Sequence, residues 1–467
     1  MHISIKTFIF VAQKEVLFLM NRPLLIFARY IFLSLIVAIL PISVQAQNFQ
    51  NQSDLQWVAV PSHADWLYKT GEKAQIEVQL LWHGQPASDV EIAYGVGGDC
   101  LPSDTEGKVR TNAQGKATIM VGTSEKPGFR DTQMRCSIEG ISFKNHLKVG
   151  FDAEQIRPYT QKPADFEAYW QQVLEEQSQV PMHVEATPAP QYDTEKATCQ
   201  LVKIRCYRKQ GEYNIYGYLT KPRKEGRYPV LVSPPGAGVK PMDPVKTIFY
   251  AEQGDMIRLD LEIHGINPAL SAADYKDISR AFGEHYANGY LANGLQSRET
   301  YYFRHVYAAM IRAVDYLVSL PEWDGQHVFV QGNSQGAALS IVLAALDPRV
   351  SAIAIAHPAL SDMAGYIEPG RTGGYPHFGN KYKDVKLTPE VIKTLSYYDV
   401  INFARLVRCP VYMTWGYNDN TCPPTTSWAV WNTLQCPKEQ YLTPINEHWI
   451  STDTRYRQMN FLKKQMK

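Results

Sequence analysis

Charge of one sign is missing. The 467 residues carry 47 Lys and Arg against 46 Asp and Glu, a formal net charge of +1. No long basic run breaks that balance, so a nucleic-acid partner is not expected. None of the seven cysteines stands in a Cys-x-x-Cys pair, which argues against a structural zinc site. No internal repeat is visible, and the apolar run Tyr30–Leu40 is too short for a comfortable bilayer span. What the chain does have is 45% hydrophobic and 20% charged residues, the mix of a globular protein with ample core. Its length favours two domains.

The first 46 residues read as a signal peptide, with Met20 a candidate true start. Arg22 and Arg29 supply a basic n-region, Tyr30–Leu40 the apolar h-region, and Val44 and Ala46 the small residues before a cut after Ala46. A periplasmic or secreted protein follows, with no membrane attachment once the leader is cut. An oxidising compartment permits disulfides, and Cys100 and Cys136 are near enough in sequence to be a candidate pair.

From 47 to 151 the pattern is β. "KAQIEVQLLWHG", "DVEIAYGVG", "GKATIMVG" and "NHLKVGF" alternate apolar and polar residues between short turn segments. This predicts a small immunoglobulin-like β-sandwich domain. Nothing catalytic stands out in it, and a spacer or interaction module is favoured over a sugar-binding one. From 152 to 467 the rhythm changes. Asp165 is placed to cap a helix that carries Phe166, Tyr169, Trp170 and Val173 on one side. Short apolar strands ("YPVLVS", "HVFVQG", "VSAIAIA", "VYMTW") then alternate with helices, as in a mostly parallel sheet covered on both faces.

In such a sheet, functional groups gather at the carboxyl ends of the strands. "QGNSQGA" puts Ser334 at one such end, with a helix directly behind it. A strand-to-helix turn this tight strains its central residue and needs small neighbours, which Gly332 and Gly336 provide. A nucleophilic serine needs a histidine base, and the base needs an orienting acid. After Ser334, His448 lies between a predicted strand and the last helix, where a hydrolase base belongs. His357 reads as structural and His377 as a loop or pocket residue. For the acid, Asp419 at a late strand end is favoured over Asp362, a candidate helix cap. The backbone amides of Gln335 and of Gly236 (or Ala237) in "SPPGAG" are candidate oxyanion donors.

The segments "KPADFEAYW", "PEWDGQHVFVQGNSQGA", "ALDPRVSAIAIAHPALSD", "WGYNDNTCPP" and "NEHW" together resemble the acetyl xylan esterase / cephalosporin C deacetylase family of α/β-hydrolases. The likeness runs from about Lys162 to the C-terminus. It implies an α/β-hydrolase fold with Ser334 as nucleophile, Asp419 as acid and His448 as base. It also implies deacetylation of acetylated sugars and xylo-oligosaccharides without a cofactor or metal, and ring-like homo-oligomers. Three departures stand out. "HGI" (264–266) replaces an Arg-Gly-Gln motif, Ala337 replaces a glycine, and Glu447 precedes His448 with Trp449 after it.

The expected function is therefore an exported serine esterase acting on acetylated xylan or xylo-oligosaccharides. Alternatives are an esterase or acyltransferase for phenolic or lipid esters, or a non-catalytic carbohydrate-binding protein on a hydrolase scaffold. His264, Tyr290 and Trp449 are candidate pocket residues, with His285 and Tyr286 in the same segment as the first two.

Overall fold

The computed structural model describes residues 53–208, 211–282 and 289–466. The leader and its cleavage site lie outside the described residues, as do His285 and Tyr286. Among the described residues no helix is long and apolar enough to cross a membrane.

The N-terminal strands form two sheets. One holds β1 (Leu55–Pro61), β3 (Ala74–Trp82), β4 (Gln85–Pro86) and β7 (Lys116–Gly122). The other runs in the order β2 (Leu67–Tyr68), β9 (Ile141–Phe151), β8 (Gly128–Ile138), β5 (Glu91–Gly98), β6 (Ser103–Arg110). Period-two alternation explains them. Ala74, Ile76, Val78 and Leu80 of β3 are buried, as are Leu147, Val149 and Phe151 of β9, while the intervening positions point the other way. Cys100 and Cys136 do not pair, and all seven cysteines are free thiols. The register explains why. Ile92 lies opposite Cys136 and Gly98 opposite Arg130, so Cys100 sits past the far end of β5, roughly 20 Å along β8 from Cys136.

The rest of the chain is an α/β-hydrolase-like fold on a nine-stranded sheet. Its order is β10 (Val184–Pro188), β11 (Ala197–Arg208), β12 (Gly211–Pro222), β14 (Ile257–Glu262), β13 (Tyr228–Ser233), β15 (Trp323–Asn333), β16 (Val350–Ala356), β17 (Val411–Trp415), β18 (Lys438–Leu442). The first three strands are antiparallel, and every pair from β14 onward is parallel. The central strands are apolar on both faces because helices cover both. After β13 the chain adds β14 on one side and β15 on the other. The ends of β13 and β15 therefore flank a topological switch point, where such sheets form a crevice.

Helix α1 (Phe166–Ser178) buries Phe166, Tyr169, Trp170 and Val173 as its spacing predicts. Its first residue is preceded by Asp165, whose side chain makes no cap hydrogen bond. That carboxylate instead accepts from Arg298 at 2.7 Å and from the hydroxyl of Tyr397, so both its oxygens are engaged away from the helix end. Trp170 packs against Tyr307 of α2 (Phe303–Val318), Tyr398 and Phe403, which seats the helix on the cover of the nine-stranded sheet.

Residues 57–467 form one compact unit. The five-stranded sheet lays part of its outer face on the loop after β17. Alternation in β9 would leave Lys148 in water, yet it is fully buried. Its ammonium pairs with Asp99 at 2.8 Å and donates to the carbonyl of Asp419 at 2.7 Å, and its own N–H donates to Asn418 at 2.9 Å. Burial disfavours the ammonium, but the charges of Asp99 and Asp131 outweigh it and push the Lys148 pKa up. The other oxygen of Asp99 accepts from the amide and hydroxyl of Thr425, at the start of α4 (Pro424–Thr433), which follows α3 (Gln335–Leu346) in the sheet's helical cover. Asp99→Ala would strand a buried cation. It is expected to cost about 3–5 kcal/mol of unfolding free energy, measured by urea denaturation of the intact chain.

Candidate active site

Ser334 sits between β15 and α3 with φ 58° and ψ −122°, a strained conformation for a residue with a side chain. Two glycines make the turn possible. A Cβ on Gly332 would lie 2.2 Å from the carbonyl oxygen of Gly336, and one on Gly336 would lie 2.5 Å from that of Pro234. The strand, the helix and the loop after β13 therefore close on one another only where both positions are bare. The turn also places Ser334 at the N-terminus of α3, where first-turn amides, that of Gln335 among them, have no partner four residues back.

His448, on the loop between β18 and α5 (Thr452–Lys464), reaches this serine. Its Nε2 lies 3.0 Å from Ser334 Oγ and its Nδ1 lies 2.7 Å from Asp419 Oδ2. An ionised carboxylate only accepts, so Nδ1 carries the ring proton and Nε2 is left to accept from the hydroxyl. Asp419 is completely buried. Burial alone would raise its pKa, but the hydrogen bond and charge of His448, the charge of His357 and the amide of Cys422 hold it below the usual carboxylate range. Its second oxygen accepts from the amides of Thr421 and Cys422 at 2.7 and 2.8 Å. His377 steadies the same loop. One of its ring nitrogens bonds the carbonyl of Thr421 at 2.9 Å and the other the hydroxyl of Tyr366 at 2.7 Å, so it is a loop residue that does not line the cavity. Cys422 lies 4.0 Å from Ser334 Oγ, and burial pushes its thiol pKa far up, which leaves it a poor nucleophile.

A cavity of about 470 Å³ opens over the serine, lined among others by Gly236, Arg258, Gln331, His448 and Trp449. Gly236 thus borders it, and Trp449 stands at its wall half-exposed to solvent. His264 and Tyr290 do not line it. Tyr290 is buried against the rings of His264, Tyr302 and Phe303. Its hydroxyl donates to the side-chain oxygen of Gln335 at 2.8 Å and accepts from the N–H of Gly238 at 3.1 Å. Tyr290 therefore ties the two candidate oxyanion segments to each other. His264 bonds Tyr302 at 2.6 Å, and burial lowers its pKa to about 4. Asp362 is spent elsewhere: it accepts from the amides of Tyr159 and Thr160 and pairs with Arg371 at 2.6 Å.

A family model for acetyl xylan esterases matches residues 151–465. The chain belongs to that family. It is 53% identical over 423 residues to the acetyl esterase Axe7A of Xylanibacter ruminicola, a match covering 90% of this chain and 93% of that one. The acetyl xylan esterase of a Paenibacillus species superimposes with a TM-score of 0.57 at 25% identity, over 67% of this chain and 98% of that one. Acetyl xylan esterase 1 of a Thermoanaerobacterium species gives the same TM-score at 22% identity, over 68% and 98%, and shares the fold. As a member of the acetyl xylan esterase family, the protein is a carboxylic ester hydrolase.

Two groups around this esterase's site escape a reading of the sequence. Lys148 is one. The other is His357, which reads as structural but lines the cavity, its ring 4.4 Å from that of His448. The available signal was its position at the end of β16, next to the strand of Ser334. Ligand atoms of His357, Asp419 and His448 lie within 4.8 Å of one another, a donor set of metal-binding type. Both nitrogens of His448 are already engaged, so an ion there would break the line to the serine.

Burial lowers the His357 pKa from 6.5 to about 4. A base that is harder to protonate when folded makes the unfolded chain bind more protons between these values, so stability falls as pH drops from 6.5 towards 4. His357→Asn lacks that term. Its stability deficit relative to the parent is expected to narrow by about 3 kcal/mol between about pH 7 and pH 4, read from urea unfolding of both proteins at each pH.

Proposed function

We propose that this enzyme removes acetyl groups from acetylated xylan or xylo-oligosaccharides by a serine acyl-enzyme mechanism. Ser334 Oγ attacks the acetyl carbonyl carbon while His448 Nε2 takes its proton. The sugar hydroxyl leaves with that proton, and acetate stays esterified to Ser334. Water, deprotonated by His448, then attacks the acyl-enzyme and releases acetate. Asp419 keeps the imidazole in the required tautomer and opposes the charge it gains. The amides of Gln335 and Gly236 serve as oxyanion donors, each contributing about 3 kcal/mol.

The observation that carries this reading is the single histidine bonded at once to Ser334 and to a fully buried Asp419. The cavity beside it suits a polyhydroxylated alcohol. Arg258, 2% exposed, donates to Ser233 at 2.6 Å and Gln331 at 3.0 Å, and Gln458 donates to Asn333 at 3.0 Å, so this wall is a polar network. The family and the acetyl esterase named above support acetyl as the acyl group.

Two further parts of the proposal concern the N-terminal region. The two facing-polarity sheets of residues 55–151 are read as an immunoglobulin-like sandwich, supported by short antiparallel strands with alternate burial. Residues 1–46 are read as a leader that delivers the enzyme to the periplasm or beyond, supported by their charge and apolar pattern. N-terminal sequencing of exported enzyme is then expected to begin at Gln47, and a start within the leader would refute the cut.

Ser334→Ala and Asp419→Asn are each expected to lower kcat for acetate release from acetylated xylo-oligosaccharides by about 10⁴-fold or more. Parent-like release by the serine variant would sink the mechanism.

A further inference from the structure

The outer face of the five-stranded sheet is only partly covered. Register places Asp131 beside Lys148 in a row that lies against the hydrolase part. Two rows further on are open. In one, Gly95 of β5 lies between Glu106 of β6 and Gln133 of β8. In the next, Ala93 lies between Lys108 and Arg135. The middle strand thus has almost no side chains on this face, whereas the strands beside it carry long polar ones. The result is a groove of about 860 Å³ whose floor is β5.

The groove borders the two loops that carry Asp419 and His448. Its lining includes Asn420 and Glu447, the chain neighbours of Asp419 and His448. His146 marks the junction: its Nδ1 bonds Asp131 at 3.0 Å and its Nε2 accepts from Asn420 at 3.5 Å. The charges along the lining cancel, with Lys108, Arg135 and Lys144 set against Glu106, Asp131 and Glu447. A strongly anionic polymer would find no net attraction there. Uncharged hydroxyls would find both donors and acceptors.

We propose that this groove binds the unsubstituted stretches of a neutral glycan chain whose acetylated unit lies at Ser334. The inference rests on the ester-hydrolase reading above and adds where the polymer runs. It gives the N-terminal sheets a role in substrate affinity, in place of the spacer or interaction module expected from their sequence.

The test is titration calorimetry of the intact protein with xylohexaose, which carries no ester and is not turned over. Parent and Ser334→Ala are expected to bind it alike. The double variant Gln133→Ala/Arg135→Ala, altered only at exposed positions, is expected to bind at least about tenfold more weakly, as loss of two polar contacts would give. Its rate on 4-nitrophenyl acetate and its urea midpoint should stay at parent values. Equal affinity in the double variant, or tighter binding of polygalacturonate than of xylohexaose, overturns the groove assignment. Acetate release from acetylated xylo-oligosaccharides by the parent reads the substrate separately. Release without xylohexaose binding overturns the groove alone. Binding without release overturns the substrate reading and leaves the groove standing.

Discussion

A carboxylate with no access to water organises this molecule. Asp419 holds His448 with one oxygen and the turn at Thr421 and Cys422 with the other, while its own carbonyl takes the ammonium of Lys148. Burying an ionised acid is costly unless both its oxygens are hydrogen-bonded and counter-charge is near. Here both conditions are met, but only by drawing on distant parts of the chain: a late loop for the histidine, and an N-terminal sheet for the lysine. The imidazole's position relative to Ser334 is therefore fixed by the assembly of the whole compact unit and not by the hydrolase strands alone.

The parts of the fold that can be read from sequence are those governed by local rules. Continuous apolar runs bounded by turns mark β13, β15, β16 and β17. The pair Gly332 and Gly336 marks the strained turn because no other residues fit its two close approaches. His448 and Asp419 are legible through chain order and strand ends. What fails to be legible is set by tertiary contact. Lys148 alternates as a solvent-facing strand residue, and only the presence of another element over that face buries it. Tyr290 looks like a pocket wall, but its ring belongs to an aromatic cluster with His264, Tyr302 and Phe303, and only the hydroxyl reaches the candidate oxyanion segments, at the Gln335 side chain and the Gly238 N–H. Asp165 is a good cap by pattern and an ion-pair partner in fact, because Arg298 arrives from 133 residues away.

The surroundings of His448 show how a departure from a family pattern can be absorbed. Glu447 precedes the histidine and stays largely exposed, 3.8 Å from His146 of the N-terminal sheet, and Trp449 borders the cavity. Neither takes the place of Asp419, whose bond to Nδ1 is intact. The change in neighbours instead alters what the loop faces: one flank meets the cavity over Ser334, the other meets the β5 groove.

That double exposure bears on how the N-terminal sheets can act on the site. A tethered binding module gains affinity by raising local concentration and leaves the site's geometry alone. The N-terminal sheets here are not tethered. Lys148 and Asp99 are buried in the contact with the loop that carries the acid, so the sheets take part in setting the histidine's position. The uncovered rows of the same sheet face begin where that contact ends. One surface thus combines a rigid attachment to the acid's loop with an open groove beside it, and a chain bound in the groove would be held in fixed register to Ser334 and not merely near it.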